Sequence, residues 1–191
     1  IYLTEKSASI GPLEVASSHS NLLMTLSPFQ DYPISYYQEG VPVQISKKYF
    51  ADSGLLSSVK STNYLKFILA KREAHQNQVF ETLLLNPFGL LCEASSSNIF
   101  YVKEGVLKTP PLQDGVLPGV LRKQVIELSE REGIPFQEES LQVAHLSQID
   151  EMFLTSSLKE IMPVREIQEV KKFDQVPGEL TRRVMKDFRY F

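Results

Sequence analysis

The sequence has a single cysteine, Cys92, in 191 residues, so no disulfide can form within it. That fits a reducing compartment, and a cytoplasmic location is expected. It has no apolar run approaching the ~18 residues that span a bilayer, and no visible secretory signal, so no membrane role is expected. It has no excess of positive charge. The formal net charge of -3 removes the electrostatic case for nucleic acid. Its three histidines, His19, His75 and His145, stand at no metal-ligand spacing with one another or with Cys92, and no metal site is expected. There is no phosphate-binding P-loop, no G-x-G-x-x-G and no G-x-S-x-G nucleophile elbow. Cys92 beside Glu93 is a poor nucleophile, since a neighbouring carboxylate disfavours thiolate, and reads as a packing residue.

What is present suits a globular protein: 42% hydrophobic and 23% charged residues, enough for a core without a disulfide or metal staple. The chain opens on Ile1 with the strand-like IYLT, which reads as a fragment whose beginning is missing. Short apolar or alternating runs at 21–27 and 41–46 predict strands on either side of the SPFQDYP turn. From 61 to 77 the period changes. Leu65, Ile68, Leu69 and Arg72 fall at helical spacing, with Ser61, Thr62 or Asn63 available as N-cap. Strands follow at 79–85 and 97–102, the second closing through Lys-Glu-Gly onto 106–109.

A Pro/Gly loop at 110–119 delivers a helix over about 119–132, with Val120, Leu121, Val125, Ile126 and Leu128 apolar and Gly133 as stop. IPFQEES is strand-like and 141–148 predicts a short helix. Strands are expected at 151–157 and 160–167, and a closing helix at 177–191 with Pro177 at its start. No repeat and no linker divides the chain, so a single domain over 1–191 is expected.

Four places hold residues suited to chemistry. In VKSTNYLK (59–66), Lys60 directly precedes a helix start; a lysine held in a closed site can lose its proton and attack a carbonyl, although a solvated loop lysine is the default. In LLCEASSSNIF (90–100), Glu93 and the small residues Ala94–Ser97 interrupt an apolar stretch. Tiny side chains admit a ligand close to the backbone, and the acid suits a cationic one, unless the segment is only a bulge facing water. In GVLPGVLR (115–122), a loop runs into a helix whose free N–H groups would attract phosphate, though many helices begin after Pro-Gly. In LTSSLKEIMPV (154–164), the hydroxyls of Thr155, Ser156 and Ser157 suit phosphate oxygens or a simple turn cap.

In their order and spacing, KSTNYL, EASSSNIFYVKEGVLKTPPL, GVLPGVLRKQVIEL and DEMFLTSSLKEIMPV resemble the class IV aminotransferases, the pyridoxal-phosphate enzymes of fold type IV. That family includes branched-chain and D-amino-acid transaminases and 4-amino-4-deoxychorismate lyase. The resemblance implies a mixed α and β fold, the D-amino-acid-aminotransferase-like large domain with a curled barrel-like sheet and flanking helices. The family's N-terminal small domain is expected to be absent from this chain. Pyridoxal 5'-phosphate is the implied cofactor, a small-molecule amine the substrate, and a homodimer the assembly.

Carried over residue by residue, Lys60 matches the Schiff-base lysine and Tyr64 the tyrosine that hydrogen-bonds the ring's phenolic oxygen. Glu93 matches the glutamate facing the pyridine nitrogen. Ser97 and Asn98 fall in the wall beside it, Gly119, Val120 and Leu121 match the phosphate cradle, and Ser157 matches a hydroxyl phosphate ligand. Transaminases of the family usually have Thr where this chain has Leu121, and often Gly-Thr where it has Ser156-Ser157. The form found here looks more like the lyases. The resemblance therefore implies an aminodeoxychorismate lyase that forms p-aminobenzoate for folate biosynthesis. The alternatives are a branched-chain or D-amino-acid transaminase, or an inactive cofactor-binding or structural fragment.

Overall fold

A computed structural model describes residues 2–5, 20–51 and 54–188. They fall into two compact units, one up to Asp31 and one from Tyr32 onward. The first holds strands β1 (Tyr2–Glu5) and β2 (Ser20–Leu23), antiparallel with Tyr2 opposite Leu23. The strand expected over 21–27 therefore ends at Leu23. Ile1, His19 and the last three residues of the expected closing helix lie outside the described residues.

The second unit runs α1 (Ile34–Glu39), β3 (Val41–Phe50), α2 (Leu65–Gln76), β4 (Glu81–Leu85), β5 (Leu90–Ala94), β6 (Ser97–Lys103) and β7 (Val106–Thr109). It continues with α3 (Val120–Arg131), β8 (Phe136–Glu138), β9 (Leu141–Gln142), β10 (Glu151–Ser156), β11 (Glu160–Ile167), β12 (Lys171–Lys172) and α4 (Glu179–Phe188). Pairing closes six of these strands into a ring, β6-β10-β11-β3-β4-β5 and back to β6. The β11–β3 and β3–β4 pairs are parallel and the other four antiparallel. Closure removes the sheet edges that an open sheet of these strands would expose.

Strand alternation splits the core into two faces. Ile99, Tyr101 and Leu154 join Val43, Leu83, Leu91, Met162 and Val164 in one cluster fed by all six ring strands, which is the barrel interior. Phe100, Val102 and Phe153 point the other way, onto Val125 and Leu128 of α3 and Val184 of α4. Phe100 and Phe153 stack with ring centroids 5.1 Å apart. A two-residue turn, Glu104-Gly105, joins β6 to β7 with both φ angles positive, as such hairpins require. Glu151 of β10 caps α4: its carboxylate accepts from the Leu180 and Thr181 N–H groups at 3.1 and 2.8 Å.

Several expectations need correction. The helix α2 forms, but no Ser61, Thr62 or Asn63 side chain caps it; Tyr64 holds the N-cap position, and Ser61 Oγ accepts instead from the Asn63 N–H. Its buried residues are Ala70 and Ala74, while Leu65 and Ile68 are exposed. Small residues let the helix lie close on Leu84 and Cys92 of the barrel wall, so the sheet selects the alanine face. Val120 of α3 is likewise exposed. Of residues 141–148, the first two form the short strand β9, and the expected short helix is a 3-10 helix over Val143–Gln148. The helix α1, within residues given no element from the sequence, packs against β11.

Candidate active site

The β5–β6 and β10–β11 hairpins turn side by side, because Asn98 of β6 is the cross-strand partner of Thr155 of β10. Beside them, the loop after β7 brings in the start of α3, and the segment before α2 completes a cavity of about 350 Å³. That is within the ~300–1,000 Å³ usual for small-molecule sites. All nine residues singled out from the sequence line it. Lys60, the only amine on the lining among the described residues, is exposed on the segment before α2, with its Nζ 5.6 Å from the centroid of the Tyr64 ring. Ser97 and Asn98 open β6, Gly119 to Leu121 form the start of α3, and Ser157 follows the end of β10.

Glu93, 7% exposed, is the only acid on the lining among the described residues. Its Oε2 accepts the Leu117 N–H at 3.1 Å, while the Leu117 carbonyl accepts from Asn98 Nδ2 at 2.8 Å. Opposed residues of the β5–β6 hairpin thus grip the two successive peptide groups on either side of Leu117 and fix where α3 begins. Gly119 is required there by proximity: a Cβ on it would lie 2.0 Å from Asn98 Oδ1. Its N-cap position carries no side-chain cap, and the first turn of α3 has no acid. The helix therefore presents its positive end to the cavity wall.

Sequence reasoning missed what stands behind this wall. Glu81, fully buried at the start of β4, accepts from the hydroxyls of Ser95 and Ser96. It also pairs with Lys159 at 2.8 Å and Lys71 at 3.2 Å. Lys159, itself 4% exposed, donates to Ser96 Oγ at 2.6 Å and Ser97 Oγ at 3.0 Å. Burial pushes the Glu81 carboxyl up, but the two ammonium groups and the hydrogen bonds outweigh it and hold it below the usual carboxylate range. Burial pulls Lys159 down more than Glu81 can restore, with Lys71 and Lys60 adding to the fall. The cluster ties the two hairpin turns together from behind. Its one sequence signal is a carboxylate opening a strand that runs into three leucines, ETLLL.

The lining fits pyridoxal phosphate by the chemistry of its donors. An amine, a buried carboxylate and an uncapped helix start with a nearby hydroxyl match the aldehyde, ring nitrogen and phosphate of that molecule. No group of three or more His, Cys, Asp or Glu suited to a metal ion occurs among the described residues. Among them, no helix is long and apolar enough to cross a membrane.

The family model for amino-transferase class IV matches residues 1–167, and the chain belongs to that family of pyridoxal-phosphate enzymes. A relative in Thermotoga maritima, named as a probable branched-chain-amino-acid aminotransferase, is 36% identical over 171 residues, covering 89% of this chain and 61% of that protein. The fold matches the Escherichia coli branched-chain amino acid aminotransferase with a TM-score of 0.80 at 29% identity, over 86% of this chain and 55% of that one. A candidate 4-amino-4-deoxychorismate lyase of Legionella pneumophila matches with a TM-score of 0.75 at 26% identity, over 86% and 58%. The cofactor is pyridoxal phosphate, as in the structural neighbour from Thermobaculum terrenum, a branched-chain amino acid aminotransferase solved in its PLP form (TM-score 0.73, 29% identity, 78% and 50% covered). The chain spans between about half and three fifths of the length of each of these proteins.

Proposed function

We propose that this chain supplies the cofactor-binding domain of an aminotransferase whose amino donors are branched aliphatic amino acids. The observation that carries this reading is the single cavity on which Lys60, Glu93, Ser157 and the uncapped start of α3 converge. The bound cofactor supplies a sink for the electron pair left when a proton departs the amine-bearing carbon. Lys60 Nζ would hold the cofactor, and would move that proton as base and acid at the amine-bearing carbon. Glu93 holds a proton on the ring nitrogen, and Tyr64 donates its hydroxyl to the phenolic oxygen. Ser97 and Asn98 shape the wall against which the ring lies. The N–H groups at Val120 and Leu121, with the Ser157 hydroxyl, hold the phosphate. Homodimer assembly and a cytoplasmic location belong to the same proposal.

The choice of branched-chain transamination over the lyase reaction reverses the expectation drawn from Leu121 and TSSLKEI. What supports it is the naming of the Thermotoga maritima relative and of the Escherichia coli and Thermobaculum terrenum neighbours. The lyase remains the second reading, favoured by Leu121, which lacks a hydroxyl, and by the Legionella pneumophila neighbour. A side-by-side assay of full-length protein separates them. Leucine with 2-oxoglutarate should yield its keto acid and glutamate, with much slower turnover of D-alanine and no pyruvate from aminodeoxychorismate. Rapid pyruvate release from aminodeoxychorismate without keto-acid formation from leucine would reverse the assignment.

A further inference from the structure

Thr155 lies in β10 one residue before its end, is 1% exposed and lines the site cavity. Its hydroxyl has no hydrogen-bond partner among the described residues. Leaving a buried hydroxyl unpaired costs about 1–3 kcal/mol, and native proteins hold few such groups. Asn98, its cross-strand partner, donates through Nδ2 to the Leu117 carbonyl and packs its Oδ1 against Gly119.

A second, independent feature shares this corner of the cavity. Helix α3, twelve residues long, begins at Gly119 with no side-chain cap and no acid in its first turn. Its positive end favours an anion. Leu121 on that first turn is buried and carries no donor. Thr155 and Ser157, the latter in the turn that follows β10, both line this cavity.

We propose that Thr155 is a phosphate ligand of this site, donating its hydroxyl to a phosphate oxygen and supplying the side-chain donor that Leu121 does not. The proposal rests on the cofactor reading above, and it explains why a buried hydroxyl is kept without a protein partner. It also removes the reason for preferring a lyase, since the loss of a hydroxyl at Leu121 is offset by Thr155.

The test compares full-length wild type with Thr155→Val and Thr155→Ser. Without cofactor, Thr155→Val should melt at the same temperature or higher, because the change removes an unpaired buried hydroxyl. Inorganic phosphate should raise the melting temperature of wild type and Thr155→Ser more than that of Thr155→Val. Affinity for pyridoxal phosphate, read by absorbance titration, should fall about tenfold in Thr155→Val, the loss of one charge-assisted hydrogen bond. Affinity for pyridoxal, which lacks the phosphate, should not change.

A lower melting temperature for Thr155→Val without cofactor, together with unchanged affinity for pyridoxal phosphate, would show a structural hydroxyl and overturn the proposal. Equal weakening of pyridoxal and pyridoxal phosphate would overturn it by placing the contact on the ring. If wild type took up no pyridoxal phosphate but kept its Thr155-dependent response to inorganic phosphate, the functional reading would fall and the ligand assignment would stand.

Discussion

Cys92 and Glu93 are adjacent in β5 and meet different surroundings. Glu93 lines the cavity, whereas Cys92 is buried with Ala70, Leu84 and Val116, its thiol donating to the Asp114 carbonyl at 2.9 Å. Burial first, then the charges of Asp114 and Glu93, push the thiol up to about 12. A raised thiol pKa means that the thiolate is scarce at neutral pH and accumulates only as pH approaches that value. Native protein at pH 8 should therefore resist a disulfide reagent such as DTNB, and the same thiol should react once guanidinium unfolds the chain. Fast labelling of native protein at pH 8 would contradict the buried setting. The packing role of Cys92 was legible in the sequence from its acidic neighbour alone. The Glu81–Lys159 pair was not, because Lys159 is ordinary in its own segment and only the fold brings it to Glu81.

The start of α3 shows how one element depends on another. Gly119 has an ordinary φ of -67°, so its backbone does not need glycine; the approach of Asn98 Oδ1 does. Gly119→Ala should push Asn98 off the Leu117 carbonyl and cost about 1–3 kcal/mol, the usual range for overpacking. In a protein of this size each kcal/mol lowers the melting temperature by roughly 2–4 °C. The same substitution placed in an Asn98→Ala background should cost clearly less. Equal losses in both backgrounds, measured by thermal unfolding, would show that the contact is not the cause.

The start of α3 was legible in the sequence from Pro-Gly followed by an apolar period. The packing face of α2 was not. Leu65 and Ile68 carry the stronger periodic signal, but the alanine side fits the wall of the barrel.

For the whole molecule, local signals located most of the strands and their hairpins, and the resemblance supplied the barrel. The ring closes through the parallel β11–β3 and β3–β4 pairs, and their partners are set by topology rather than by any local pattern. The payoff of that closure is functional. Four segments distant in sequence, bearing Lys60, Glu93, Gly119 and Ser157, arrive at one cavity. Lys60 is the residue proposed to carry the cofactor. Full-length protein loaded with pyridoxal phosphate, reduced with borohydride and mapped by peptide mass spectrometry tests this directly. The label should sit on Lys60, and Lys60→Ala should abolish both the label and the visible absorption band. Label on Lys159, Lys66 or Lys71 instead, or an undiminished band in Lys60→Ala, would contradict the account.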